Sequence, residues 1–349
     1  RLKSLAGWMT DDDLATLARP KGSPLTRSDI PLLDEAMDLL GPDPKTVAKQ
    51  SAANARRAAE EQYAKDTLAA TGLGQGIVSS QMLLDQMKGD DGELTAQRAA
   101  ADREWAYVHI VVDEAQELTA MDWRMLIRRC PSRSFTIVGD VAQTSALAGT
   151  RRWDKTMNRL FGEGHWDLNE LTINYRNPQE VSDLASRFAQ NEGLYISTVN
   201  AVRALPDSVS RHVVDDMKAL LTVTSNQAAQ LVNHFVSADG TGRIAIICPD
   251  DLIKPVREAV RHRLSSLMAP SEYQRLIDQP EWDEQISVCG TEMVKGLEFD
   301  AVIVIEPGRI EDDAPSRLVA ASDLYVATTR PTQKLVIVRT KEDERSLNI

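Results

Sequence analysis

The sequence predicts an α/β fold built on parallel sheets and preceded by a helical segment. Short, continuous, β-branched runs recur from residue 107 onward, as is typical of strands buried on both faces of a parallel sheet. Segments with apolar residues at helical spacing lie between several of these runs, which indicates βαβ units with right-handed crossovers. Residues 1–105 have a helical pattern instead.

The predicted elements follow from these patterns. Strands are predicted at 107–112, 135–138, 171–173, 243–248, 286–289, 301–305 and 335–338, and helices between them at 121–130, 178–190, 226–236 and 255–268. Near the start of the chain, Thr10/Asp11 and Asp29 are expected to cap two helices that end near Pro20 and at Gly41. An Ala- and charge-rich stretch predicts a solvated helix over 47–70, and glycines predict breaks within 71–76 and 88–93.

Composition excludes several functional classes. With 42% hydrophobic and 26% charged residues the 349-residue chain is in the soluble globular range, and no apolar run approaches the ~20 residues of a membrane helix. Cys130, Cys248 and Cys289 form no CxxC pair and are expected to be buried thiols of a cytoplasmic protein. The five histidines lack metal-ligand spacing. A net charge of −12 fits a protein partner or one small nucleotide site and does not support broad nucleic-acid binding.

The first motif whose residues could form a catalytic site is HIVVDEAQE. Asp113 and Glu114 follow a strand predicted to be buried, where two unpaired carboxylates are costly unless a cation relieves them. In a Mg²⁺–phosphate site, Asp113 would hold the metal and Glu114 would orient and deprotonate the attacking water, with both carboxylates close to the ion. The alternative is an ordinary helix cap in which the acids favour the positive end of the helix dipole.

A second motif, FTIVGDVAQ, lies about 25 residues further on. Gly139 allows close backbone approach, Asp140 follows it, and Gln143 can hydrogen-bond a phosphate or a water. An ordinary strand-to-helix turn would have the same pattern. The two motifs together indicate a catalytic site more specifically than either motif alone.

Five motifs together resemble those of the superfamily 1 UvrD/Rep-type helicases. The two motifs above are similar to motifs II and III, LTINYRN (171–177) to motif IV, 288–307 to motif V and 323–338 to motif VI. The resemblance implies RecA-like P-loop NTPase motor domains that bind ATP and Mg²⁺. It divides the chain into a helical subdomain (1–105), the C-terminal part of a first motor domain (106–168) and a second motor domain (169–349).

The remaining site residues come from this resemblance. Arg176 and Arg330 lie in otherwise apolar motifs, where a guanidinium can stabilise charge on a transferring phosphoryl group, as an arginine finger does. Gln116, Gly296 and Glu298 are assigned to nucleotide binding with Asp113, Gly139 and Asp140, Glu298 through the ribose.

The sequence departs from the helicase pattern in three ways. It contains no GxxxxGK[ST] phosphate-binding motif. The most similar segment, GPDPKT, has Pro44 before its lysine, and proline has no N–H to donate to a phosphate. Ala146 and Ala148 replace the aromatics expected to stack on bases, which contribute ~1–3 kcal/mol per base. Only about 35 residues separate the runs at 243–251 and 286–289, too few for a large inserted domain.

These departures resemble the HelD subgroup, whose members are ATPases that act on bacterial RNA polymerase. The expected function is therefore that of a fragment of such a motor, inactive alone because the phosphate loop is expected upstream of Arg1. One alternative is a DNA helicase or translocase of the UvrD/Rep type, which would bind nucleic acid. Another is a non-hydrolysing protein-binding module on a motor scaffold.

Overall fold

The computed structural model describes residues 7–41, helical residues between 48 and 66, and residues 105–237, 241–278 and 285–343. The chain divides into two compact units. Unit 1 consists of Arg1–Val108 and Arg124–Ser132, and unit 2 of His109–Trp123 and Arg133–Ile349. Among the described residues, no helix has both the length and the hydropathy to cross a membrane.

The first helices of unit 1 are α1 (Asp11–Leu17) and α2 (Asp29–Leu40). The predicted Thr10 cap is confirmed: its hydroxyl accepts the Asp13 N–H at 3.1 Å, and the Asp13 carboxylate accepts the Thr10 N–H at 2.8 Å. This reciprocal pair satisfies two N–H groups that have no partner within the helix. Helix α1 ends at Leu17, in line with the stop predicted near Pro20.

The predicted Asp29 cap of α2 is wrong. Ser28 occupies the cap position, and the Asp29 carboxylate instead accepts the Thr26 N–H at 2.7 Å and pairs with Arg19 at 2.7 Å. The helix does end at Gly41, as predicted, with φ of 73°, a conformation that favours glycine. The described residues between 48 and 66 are helical, as expected for 47–70. The breaks predicted within 71–76 and 88–93 lie outside the described residues.

From residue 105 onward, strands and helices alternate as an α/β fold requires. The strands are β1 (Ile110–Val112), β2 (Phe135–Ile137), β3 (Ile173–Pro178), β4 (Asn200–Arg203), β5 (Val209–Val214), β6 (Ile244–Ile247), β7 (Ile286–Cys289), β8 (Phe299–Ile305) and β9 (Pro331–Thr340). The helices are α3 (Ala120–Arg129), α4 (Trp153–Phe161), α5 (Gln179–Asn191), α6 (Met217–Phe235), α7 (Asp250–Leu267), α8 (Pro270–Ile277), α9 (Pro307–Asp313) and α10 (Arg317–Thr329).

The described residues of unit 2 form three sheets, and every strand pair in these sheets is parallel. The largest has the order β5-β9-β8-β6-β7, while β1 pairs with β2 and β3 pairs with β4. The predicted α/β class with parallel sheets is therefore confirmed, and its arrangement is compatible with a RecA-like fold.

Helices cover both faces of the five-stranded sheet. Along β6, Ile244 and Ile246 pack with α6 and α7, while Ala245 and Ile247 pack with α5 and α10. All four side chains are fully buried, because successive residues of a strand point to opposite faces. This burial on both sides explains the continuous apolar runs seen in the sequence. Cys130, Cys248 and Cys289 are buried, as expected.

Several predicted strands need correction. The strand predicted at 171–173 begins only at Ile173 and continues to Pro178, so Arg176 lies inside β3. The strand predicted at 107–112 forms only over its last three residues and is only partly buried, since Val112 is buried but Val111 is 68% exposed. Within the described chain, β1 pairs only with β2, which leaves its apolar run partly uncovered.

Two helices begin earlier than predicted. Helix α7 starts at Asp250, so Pro255 lies inside it and removes one hydrogen bond. Buried Leu252 holds the first turn of this helix in the core. Helix α6 extends to Met217, and Asp216 caps it by accepting the Ala219 N–H at 2.8 Å.

Candidate functional site

The turn after β1 carries Asp113 and Glu114, and both side chains are exposed. Asp113 Oδ1 accepts the Glu114 N–H at 2.9 Å. Glu114 adopts a left-handed backbone with φ of 50°, a conformation that is unfavourable outside glycine and recurs at functional sites. The buried amide of Gln116 donates to Glu114 Oε2 at 2.6 Å, which fixes the orientation of the carboxylate.

The turn after β2 is held against the turn after β1. Gln116 Oε1 accepts the Asp140 N–H at 3.1 Å, so a single amide links both turns. A Cβ on Gly139 would lie 2.3 Å from Gln116 Oε1 and 3.1 Å from Ala115 N. Only glycine therefore allows this approach.

Asp140 and Gln143 form the centre of the cluster. Asp140 Oδ1 accepts the Ala142 N–H at 3.0 Å, and Oδ2 accepts from Gln143 Nε2 at 2.9 Å. Burial raises the pKa of Asp140, and the bond from Gln143 opposes that change. Since Gln143 donates through Nε2, its Oε1 is available as an acceptor.

Arg330 supplies the donor to Gln143. It directly follows α10 and is 2% exposed. Its Nη2 donates to Gln143 Oε1, its Nη1 to the Leu297 carbonyl at 3.3 Å, and its Nε to the Val326 carbonyl at 3.4 Å. Among the described residues, no carboxylate lies within ion-pair distance of it. A buried guanidinium bonded only to uncharged acceptors lacks a partner anion.

Four other charged side chains, those of Arg176, Glu114, Asp140 and Glu298, act on Arg330 at longer range. Burial lowers the pKa of Arg330 most, and the nearby Arg176 lowers it further, while Glu114 and Asp140 raise it. The two guanidinium groups are thus close enough to interact, and the carboxylates of Glu114 and Asp140 act on Arg330 as well. An anion placed between the two arginines would relieve both burial and mutual repulsion.

Arg176 and Glu298 lie at the exposed side of the cluster. Arg176 Nη2 is 2.5 Å from Glu298 Oε1, with both side chains more than a third exposed. Gly296 has φ of 70°, and a Cβ there would lie 4.0 Å from Glu114 Oε1. The loop that carries Gly296 and Glu298 therefore passes close to the turn after β1.

These contacts bring the predicted site residues into one cluster within unit 2. Its members are Asp113, Glu114, Gln116, Gly139, Asp140, Gln143, Arg176, Gly296, Glu298 and Arg330. The cluster is open to solvent at Asp113, Glu114, Arg176 and Glu298. A separate cavity of about 590 Å³ adjoins β7 and is lined by other residues, Cys248 and Cys289 among them. The chemical roles assigned to the ten residues stay predictions.

The residues fit a magnesium ion only if phosphate oxygens complete its coordination. In the part of the chain that the structure describes, no group of three or more His, Cys, Asp or Glu could hold a metal. Asp113 and Glu114 offer two exposed carboxylates, and Mg²⁺ in nucleotide sites usually takes one or two carboxylates together with phosphates. The donor set therefore fits a nucleotide-borne magnesium and not an independent metal centre.

Sequence reasoning missed a second network beside the cluster. Asp323, 9% exposed, accepts from the Ser145 hydroxyl and lies 3.9 Å from Lys295 Nζ. Glu117 accepts the Ser145 N–H at 2.9 Å and the Ala146 N–H at 3.2 Å. Burial raises the pKa of Asp323, and the bond from Ser145 opposes it. The position of Asp323 in the otherwise apolar sequence of α10 is the signal from which this network could have been predicted.

Asn177, the last residue of the LTINYRN motif, was also missed. It is 4% exposed, and its Nδ2 donates to the carbonyls of Thr329 and Pro331, both at 2.8 Å. These carbonyls flank Arg330. Tyr175, next to Arg176, is 70% exposed.

Comparisons with known proteins give little support for any specific family. No protein-family model matches the sequence, and no curated protein matches it. One similar solved structure is described as the C-terminal domain of a possible DNA helicase from Lactobacillus plantarum WCFS1. It shares 20% identity, and the match covers 48% of this chain and 88% of that one with a TM-score of 0.34. A likeness of this size does not establish a shared function.

Proposed function

We propose that this chain is part of an ATP-hydrolysing motor of the superfamily 1 UvrD/Rep type, with HelD-like action on bacterial RNA polymerase. The observation that carries the ATPase proposal is the setting of Arg330. Its buried guanidinium has no carboxylate partner within ion-pair distance among the described residues, and it bonds to Gln143 beside Asp140 and Glu114. Such a group is suited to receive an anion that arrives with a ligand.

The two arginines would act on the γ-phosphoryl group of ATP. Arg330 is fixed by three hydrogen bonds, whereas Arg176 is more exposed and held by Glu298. Charge on a transferring phosphoryl group is spread over its oxygens, and preorganised guanidinium groups stabilise it without further rearrangement. In this proposal Arg176 exchanges its carboxylate partner for phosphate when the nucleotide binds.

Glu114 would orient and deprotonate the attacking water. Gln116 holds its carboxylate, and Gln143, fixed between Asp140 and Arg330, is a second polar group of the same cluster. A bound Mg²⁺, held through Asp113, would neutralise phosphate charge. The exposed ring of Tyr175 beside Arg176 offers a flat surface on which a nucleobase can stack.

This proposal requires a phosphate-binding loop from another part of the protein. The sequence contains no GxxxxGK[ST], and such a loop supplies the backbone N–H groups and the lysine that bind the β- and γ-phosphates. We therefore propose that sequence outside these 349 residues provides it, so the activity is assigned to the full protein. The present chain contributes the water-activating and arginine side of the site.

The RNA polymerase part of the proposal has separate support. The net charge of −12 and the alanines at 146 and 148 disfavour a nucleic-acid track. The backbone N–H groups of Ser145 and Ala146 are engaged by Glu117, which places a carboxylate where a DNA phosphate would be repelled. A protein partner suits this surface better than a polyanion.

Substitution of Glu114 by Gln in the full-length protein tests the ATPase proposal. We expect ATP turnover to be abolished while nucleotide binding stays largely intact, because Gln cannot accept the proton of the attacking water. Turnover is measured at saturating Mg²⁺-ATP and binding with a fluorescent ATP analogue. The same substitution at exposed Glu163 is the control and should change neither. Near-normal turnover in the Glu114→Gln protein would refute the assignment.

A further inference from the structure

The segments that carry the two arginines of the proposed site are tied together by side chains outside the predicted cluster. Asn177 lies one residue after Arg176, and its Nδ2 donates to the carbonyls of Thr329 and Pro331, both at 2.8 Å. Because these two residues flank Arg330, the amide of Asn177 anchors the backbone on each side of it. One side chain therefore connects β3 to the junction of α10 and β9.

The orientation of this amide is itself determined. Asn174 Nδ2 donates to Asn177 Oδ1 at 3.0 Å, so Asn177 Nδ2 must face the two carbonyls. Asn174 Oδ1 also accepts the N–H groups of Arg176 at 2.9 Å and of Asn177 at 3.1 Å. Both ends of the Asn177 amide are thus bonded in a position where only 4% of the residue is exposed.

A second tie comes from β4, a strand without any recognised motif. Arg203 Nη1 donates to the Arg176 carbonyl and to the Thr332 carbonyl, both at 2.6 Å. Asn177 therefore holds the carbonyls on either side of Arg330, while Arg203 connects the peptide of Arg176 to the start of β9. The two ties lie on neighbouring parallel strands, in which Pro178 pairs with Arg203.

We propose that Asn177 and Arg203 are positioning residues that set the spacing between the guanidinium groups of Arg176 and Arg330. This inference rests on the proposed ATPase function. Both residues act through backbone carbonyls, so they need not touch the nucleotide. Two arginines that act on one phosphoryl group must keep a fixed separation, and a displacement of about 1 Å can lower a rate ~10²-fold.

The first test is Asn177→Asp in the full-length protein, which replaces both donors with an oxygen that faces two carbonyls. We expect kcat for ATP to fall ~10²-fold with little change in KM, because the arginines would be misplaced in the transition state while the phosphate loop still binds ATP. Arg203→Gln, at a half-buried site, should give a smaller loss of the same kind and serves if the Asn177→Asp protein does not fold. Thermal unfolding is recorded for every variant.

A double variant separates positioning from general damage. Adding Asn177→Asp to Arg330→Ala should cause no further loss, since the residue it positions is already absent. If the two losses multiply instead, the positioning role is overturned. Asn200→Asp, the same change at an exposed site at the start of β4, is the matched control and should keep wild-type turnover.

The outcomes distinguish this inference from the function on which it rests. A wild-type protein without ATP turnover would overturn the proposed function and, with it, the positioning role. Wild-type turnover that persists undiminished in folded Asn177→Asp and Arg203→Gln proteins would overturn the positioning role alone.

Discussion

At the scale of single residues, Arg330 combines burial with the lack of a close carboxylate among the described residues. The sequence places an arginine after an apolar helix, which is enough to suggest a finger role by resemblance. It does not show that all three donor nitrogens are engaged by uncharged acceptors. That arrangement depends on the Leu297 and Gln143 positions, which are distant in the chain.

We expect Arg330→Ala in the full-length protein to lower kcat about 10³-fold or more, since an arginine finger contributes that much. Arg330→Lys should have a kcat only slightly above that of Arg330→Ala, because an ammonium cannot reproduce the forked contacts to three acceptors. Steady-state ATPase assays measure both.

Arg317→Ala is the matched control for this prediction. Arg317 is the first residue of α10, the helix that Arg330 follows. It is 83% exposed and paired with Glu192 at 3.0 Å, a surface contact of small energetic value. Its removal should leave kcat unchanged. A kcat for Arg330→Ala within about tenfold of wild type would contradict the finger role.

At the scale of elements, the strands were easier to predict where both faces are buried. Strand β7 has the predicted bounds, and β6 and β8 differ from theirs by no more than two residues at either end. Strands β4 and β5 were missed because they are short and lack a continuous apolar run. Their identity as strands depends on pairing with β3 and β9, which are far away in the sequence.

Helix α9 carries a carboxyl group whose ionisation opposes folding. Burial raises the pKa of Glu311 from 4.5 to about 7, and the charges of Glu192 and Asp343 raise it further, while Arg317 opposes them. The folded protein binds the proton of Glu311 more tightly than the unfolded chain does. Protonation of Glu311 therefore stabilises the folded state fully below pH 4.5, and this contribution is lost as pH rises through about 7.

We therefore expect Glu311→Gln to stabilise the protein at about pH 8. A fully realised shift would be worth ~3 kcal/mol, and partial solvation reduces the expected gain to roughly 1 kcal/mol. The difference from wild type should vanish below pH 4.5, where the Glu311 carboxyl is protonated in both the folded and the unfolded state. Denaturant unfolding at several pH values measures it, with exposed Glu258→Gln as the control. A gain that does not vary with pH would contradict this explanation.

At the scale of the whole molecule, the acidic balance and the lack of stacking aromatics bear on the partner. We expect the full-length protein to coelute with purified bacterial RNA polymerase in size-exclusion chromatography. We also expect single-stranded DNA not to stimulate ATP turnover, because the ~1–3 kcal/mol per stacked base is missing.

The outcomes of this partner experiment separate the alternatives. Strand displacement or DNA-stimulated turnover would favour a DNA helicase or translocase instead. Failure to coelute with the polymerase would contradict the proposed RNA polymerase partner but would not affect the ATPase proposal. ATP turnover in the same preparation shows that the protein is active.

The sequence by itself determined the α/β class and the central buried strands, because both depend on local patterns of β-branched runs between turns. It also nominated the ten residues of the candidate site, five of them only through the resemblance to helicase motifs. Only the tertiary structure decided that the ten site residues form one cluster, that Arg330 is buried with no carboxylate in contact among the described residues, and that Asn177 and Arg203 connect the two arginine segments. Such features arise from side chains that are far apart in the chain, for example Arg330 and Gln143 or Asn177 and Thr329, and hydrogen bonds of that kind leave no periodic signal in the sequence.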